Sequence, residues 1–131
     1  MRRTGRDPSQ PGDRSVNITN LISALIVVES GAGGNDMAVG DNGKALGALQ
    51  IHQGVVLDVN RFTGSRHRWE DMTNRALARK VCQSYLERYG RGATAEQLAR
   101  RWNGGPQGDR KSATLPYWRK VEAALRKVEA K

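Results

Sequence analysis

A chain of 131 residues with 37% hydrophobic and 27% charged residues can close one core and is too short for two ordinary domains. Its 22 lysines and arginines against 13 acidic residues give a formal charge of +9, which selects an anionic partner: nucleic acid, a lipid surface or an anionic polymer such as bacterial cell wall. No apolar run approaches the ~20 residues that a membrane-crossing helix needs. Cys82, the single cysteine, excludes an intramolecular disulfide and the paired cysteines of zinc or redox sites.

Residues 1–16 combine arginine, proline and glycine without an apolar segment. They read as a disordered basic tail before one domain over 17–131, and they lack the hydrophobic region of a secretory signal. Over 20–30, Leu21, Leu25 and Val28 mark one helical face, Ile22 and Ile26 a neighbouring one, and Gly31 a stop, so a buried helix is expected, with a short strand over 25–28 as the competing reading. Residues 31–47 hold six glycines, and Asp41-Asn42-Gly43 has the composition of a tight hairpin with positive φ at Asn42 and Gly43. A second helix is expected over 50–62, with Ile51, Val55 and Val59 at fourfold spacing and Gly64 behind it. Thr73 can cap a third, running to Tyr89 with Leu77, Val81, Tyr85 and the Leu86/Tyr89 pair inward and Gly90 as its stop. Thr94 and Gln97 form a capping box for a short helix through Leu98 and Trp102. Pro116 opens the last, where Trp118, Val121, Leu125 and Val128 recur at heptad-like spacing. The expected fold is mainly α (α+β), about five helices with a small glycine-rich β-hairpin lobe.

Glu29 stands apart because it ends a helix whose other residues are almost all apolar. Burial and the negative end of the helix dipole both raise a carboxyl pKa, and a carboxylic acid protonated near neutral pH is what a general acid in glycoside cleavage must be. The plainer reading turns Glu29 outward or pairs it with a basic residue. A two-carboxyl mechanism needs a partner, and both Asp36 and Asp41 lie in the glycine-rich stretch. Asp41 is the choice if the hairpin tip folds back across a cleft, although Asp-Asn-Gly is also an ordinary turn. Asn103-Gly104-Gly105-Pro106 is a break where backbone can approach a sugar, or a plain interhelical turn. On periodicity alone, Trp102, Trp118 and the tyrosines read as core before they read as ligand contacts. His52 and His67 have no partner at metal spacing, so neither a metal nor a cofactor is expected, and a Ser30–His52 nucleophilic pair has no support in spacing. Cys82 reads as a small buried hydrophobe.

Three blocks of sequence together resemble the invertebrate-type (i-type, destabilase-family) lysozymes from about residue 22 to 121. The first holds Val28-Glu29-Ser30-Gly31, Gly40-Asp41-Asn42-Gly43 and Gly47-Ala48-Leu49-Gln50-Ile51. The second is the helix from Val81 to Gly90. The third is Trp102-Asn103-Gly104-Gly105-Pro106 with Tyr117-Trp118. The Glu-Ser-Gly element is shared with goose-type lysozymes and lytic transglycosylases, whereas Asn-Gly-Gly-Pro and Tyr-Trp are particular to the i-type. The resemblance implies a lysozyme-like fold and hydrolysis of the β-1,4 bond between N-acetylmuramic acid and N-acetylglucosamine. It makes Glu29 the proton donor and Asp41 the second carboxylate, with Ser30, Gln50, His52, Trp102, Asn103, Gly104, Gly105 and Tyr117 as substrate contacts. Bacterial peptidoglycan would be the partner, of a secreted or cell-envelope protein expected to be monomeric, with no specific nucleic acid and no membrane insertion. Three positions depart from the pattern: one cysteine replaces a disulfide-rich frame, Trp102 stands for the histidine usual before Asn-Gly-Gly-Pro, and Ala48-Leu49 replaces an aromatic pair that would stack on sugar. A lytic transglycosylase using Glu29 alone, and a non-catalytic basic module binding glycan or nucleic acid, are the alternatives.

Overall fold

The computed structural model describes residues 16–131, so the tail expected over 1–16 lies, but for Val16, outside the described residues. Five helices follow in chain order: α1 (Ile18–Ser30), α2 (Gln53–Thr63), α3 (Arg75–Tyr89), α4 (Ala95–Gly104) and α5 (Leu115–Glu129). Between α1 and α2 lie two short strands, β1 (Val39–Gly40) and β2 (Ala45–Leu46). They pair antiparallel, with Val39 opposite Leu46 and Gly40 opposite Ala45.

The first helix is central. The Asn17 side chain accepts the Asn20 N–H at 3.0 Å, satisfying one of the free donors at the helix start. Leu21, Ile22, Ala24, Leu25 and Ile26 are all buried, because α5, α3 and α4 each pack against this helix. That enclosure is why the sequence is apolar on two adjoining faces rather than one stripe. At the other end, α4 starts on the expected capping box between Thr94 and Gln97.

Three expectations need correction. Ile51 is not helical: it bridges Leu46, exchanging N–H···O bonds of 3.1 and 2.9 Å, and its backbone is thereby committed to the hairpin. The helix begins only at Gln53, which turns Val56 and Val59 inward and leaves Val55 half-buried. The cap of α3 is Asn74, whose side chain accepts the Leu77 N–H at 3.0 Å. Thr73 belongs instead to a preceding 3-10 turn (Trp69–Thr73), its hydroxyl donating to the Glu70 carbonyl. In α5 the inward pair is Val121 and Ala124, with Trp118, Leu125 and Val128 half-buried. Cys82 is fully buried and free, as its place in α3 suggested.

Candidate active site

The last turn of α1 brings Glu29 to the point where α4 ends and α5 begins. Tyr117, in the first turn of α5, donates its hydroxyl to Glu29 Oε2 at 2.7 Å. Burial pushes the Glu29 carboxyl above its ordinary value of 4.5, and hydrogen bonding from Tyr117 and Trp102 opposes that shift without cancelling it. The Tyr117 hydroxyl is itself pushed far up, by burial first and then by the neighbouring Glu29 charge, so it remains a donor at any working pH. Glu29 is thus a shielded carboxyl whose proton is retained to higher pH than an ordinary carboxylate's.

Glu29 opens into a cleft of about 220 Å³ that Asp41 also lines. The turn from β1 to β2 places Asp41 there, and it is tight enough to put Asp41 (φ 51), Asn42 (φ 55) and Gly43 (φ 86) all in the left-handed region. Asn42 and Gly43 fulfil the expectation; Asp41 adds a third such residue, a conformation aspartate tolerates better than most. Its carboxylate is 59% exposed, and His52 Nε2 lies 3.2 Å from Asp41 Oδ2. Gln50 lines the same wall and braces the hairpin, its Nε2 donating to the carbonyls of Ala38 (3.2 Å) and Gly47 (3.0 Å). Trp102 and Asn103, at the end of α4, also line the cleft. Edge contact with Tyr85, at 5.4 Å between ring centroids, holds the Trp102 ring in place.

Other residues expected at the site stand beside it and shape it. Ser30 donates to the Ala48 carbonyl at 2.8 Å and accepts the Asn35 N–H at 2.9 Å, fastening the end of α1 to the glycine-rich loop. Gly104 faces Thr114 and gives its carbonyl to Lys111 Nζ at 2.7 Å, while Gly105 ends α4 with φ 91. None of these three is among the residues lining the cleft. Asp36 pairs with Arg75, which holds it to α3. Ala48 and Leu49 are fully buried, so the positions where the resemblance places an aromatic pair are core here. Spacing alone missed two features. Tyr117 and Glu29 are 88 residues apart, and only the resemblance put Tyr117 at the site. The His52–Asp41 contact depends on the Leu46–Ile51 bridge, for which the sequence carries no local signal.

No family profile matches the chain. It is 34% identical over 87 residues to "Lysozyme 1" of the oyster Crassostrea virginica, covering 63% of this chain and 46% of the oyster protein. It is 27% identical over 106 residues to the lysozyme of the clam Meretrix lusoria, covering 77% of this chain and 84% of the clam protein. The match thus spans about half the length of the oyster relative and most of the clam one. In three dimensions the chain superposes on a chain of the crystal structure of Aeromonas hydrophila PliI in complex with Meretrix lusoria lysozyme. The TM-score is 0.68 at 27% identity, covering 84% of this chain and 93% of that one. The fold is lysozyme-like: five helices with a two-stranded hairpin lobe.

Proposed function

We propose that this protein, a relative of the invertebrate-type lysozymes in sequence and in fold, is a muramidase. It hydrolyses the β-1,4 bond between N-acetylmuramic acid and N-acetylglucosamine in peptidoglycan. The observation that carries the reading is Glu29: a carboxyl raised by burial, held by the Tyr117 hydroxyl and opening into the cleft that Asp41 also lines.

Glu29 gives its proton to the glycosidic oxygen as the bond to the anomeric carbon breaks. Asp41 meets the positive charge that develops there, either by bonding to the carbon or by stabilising it across the cleft. The ionised Glu29 then takes a proton from the water that completes hydrolysis, which restores the starting state. Asp41 suits its part because it faces solvent and is aligned by His52, whereas Glu29 suits its own because it is shielded. Because Glu29 must start protonated, activity falls as pH rises through its raised pKa. The charge of +9 holds the enzyme on an anionic wall, which places its work where peptidoglycan lies, and the chemistry requires no metal or cofactor.

Product analysis of a digest of purified peptidoglycan tests the reading. Fragments ending in reducing N-acetylmuramic acid are expected. Anhydro-muramic ends would replace hydrolysis by a lytic transglycosylase acting through Glu29 alone, and binding without soluble fragments would leave a non-catalytic glycan-binding module.

A further inference from the structure

Four aromatic rings run in one series from α2 through α3 to the cleft. Tyr85 and Tyr89 stand one helical turn apart on α3, which stacks their side chains on one face, and their ring centroids are 4.8 Å apart. Tyr85 meets the Trp102 ring edge-on at 5.4 Å. At the other end Phe62, in the last turn of α2, meets Tyr89 edge-on at 6.4 Å. Of these four rings only Trp102 lines the cleft.

The end of the series away from the cleft is anchored twice. Tyr89 donates its hydroxyl to Asp58 Oδ2, and its backbone carbonyl accepts Arg101 Nη1 at 2.8 Å. Arg101 is the neighbour of Trp102 on α4 and is itself held by both oxygens of Asp109 at 3.0 Å, so Tyr89 is tied to the helix that carries Trp102. Asp58 stands one turn beyond Val55 on α2; Val55 lines the cleft and Asp58 does not. Packing alone gives no reason for this pair. Asp58 and Tyr89 are half-buried, and two apolar side chains of the same shape would fill the place with no polar group to satisfy. What the hydrogen bond adds to packing is direction: it fixes the orientation of the Tyr89 ring, and with it the rings stacked behind.

We propose that Asp58 and Tyr89 are positioning residues for Trp102: the carboxylate fixes Tyr89, Tyr89 fixes Tyr85, and Tyr85 holds the indole at the cleft wall beside Glu29. The inference rests on the muramidase reading and extends it to side chains that do not line the cleft. Tyr117 of α5 and Trp102 of α4 bond Glu29, and the Cys82 thiol of α3 is close enough to feel its charge. The Trp102 bond favours the ionised carboxyl, so an indole that drifts from its place lets Glu29 keep its proton to higher pH.

Tyr89→Phe and Asp58→Leu each remove the bond and keep a side chain of similar shape. With a soluble peptidoglycan oligosaccharide as substrate, both are expected to lower kcat about threefold to tenfold on the acid side of the profile and to move the alkaline limb of the pH–rate profile to higher pH. Asp58→Asn, whose amide oxygen still accepts the hydroxyl, is expected to stay within about twofold of the parent, and the Asp58→Leu/Tyr89→Phe double variant to be no worse than either single one. In protein labelled with fluorotryptophan, the fluorine NMR resonance of Trp102, identified by its loss in Trp102→Phe, is expected to shift or broaden in the first two variants while those of Trp69 and Trp118 hold. If the parent cleaves the substrate and both variants keep kcat within about twofold with an unmoved limb, the positioning role is wrong and the muramidase reading stands. An equal loss in Asp58→Asn and Asp58→Leu, or an unmoved Trp102 resonance, also overturns the role. If the parent does not cleave the substrate, the muramidase reading falls and takes the positioning role with it.

Discussion

Replacing Tyr117 by Phe removes one oxygen and leaves the ring that joins α5 to α1. The oxygen lost is the donor 2.7 Å from Glu29 Oε2. Below the pKa of Glu29 the bond joins two neutral groups and is worth about 1 kcal/mol; above it the acceptor is a carboxylate, and the same bond is worth about 2 kcal/mol. The substitution should therefore cost roughly 1 kcal/mol of stability at acid pH and roughly 2 at alkaline pH. The folded pKa of Glu29 lies above 4.5, so the stability linked to its proton is complete below that value and is lost as pH rises through the folded pKa. Losing a donor that favours the ionised form lifts the folded pKa further and enlarges the loss. Two assays read this out: urea unfolding at a series of pH values, and the alkaline limb of the pH–rate profile, which should move to higher pH. An equal cost at both ends of the range with an unmoved limb would show that Tyr117 does not bond Glu29 in solution.

Asp41→Asn should reduce turnover of peptidoglycan by at least about 100-fold, because an amide can neither form the glycosyl ester nor balance charge at the anomeric carbon. Asp36→Asn should leave turnover within about twofold and cost no more than about 1 kcal/mol in urea unfolding, since it loses only a partly exposed ion pair with Arg75; the reverse pattern would exchange the two aspartates. Gly47→Ala should be severely destabilising, by more than about 2 kcal/mol, because Gly47 has φ 85 and a Cβ there would lie 2.0 Å from the Met72 carbonyl oxygen. Its melting temperature checks this, and an unchanged value would mean that the hairpin does not seat on the 3-10 turn as described.

Where a local rule decides the structure, the sequence could be read directly. The largely apolar α1, the Thr94–Gln97 box, the Asp41-Asn42-Gly43 turn and the glycine after α2 are each set by residues within one or two turns of one another. Glu29 was legible for the same reason, as a carboxyl at the end of an apolar helix. Fourfold spacing failed at Ile51, where pairing with Leu46 outweighs a helical pattern that begins two residues early. It failed at Thr73 because a 3-10 turn uses the threonine hydroxyl and leaves the cap to Asn74. Contacts formed by chain crossing, such as Tyr117 on Glu29, His52 on Asp41 and Arg75 on Asp36, have no periodicity to detect. The choice of Asp41 over Asp36 therefore rested on the hairpin's composition and on resemblance; in the structure Asp41 lines the cleft and Asp36 pairs with Arg75.

Everything in this account turns on the proton of Glu29, and clearing of a suspension of purified peptidoglycan by the Glu29→Gln protein tests it most directly. Glutamine has the shape of the acid and can still accept the Tyr117 hydroxyl, so the circular dichroism spectrum should be unchanged. The rate should fall about 10²- to 10⁴-fold, the usual loss on removing a general acid. Clearing close to the parent rate by a folded Glu29→Gln protein would contradict the assignment of Glu29 as the proton donor.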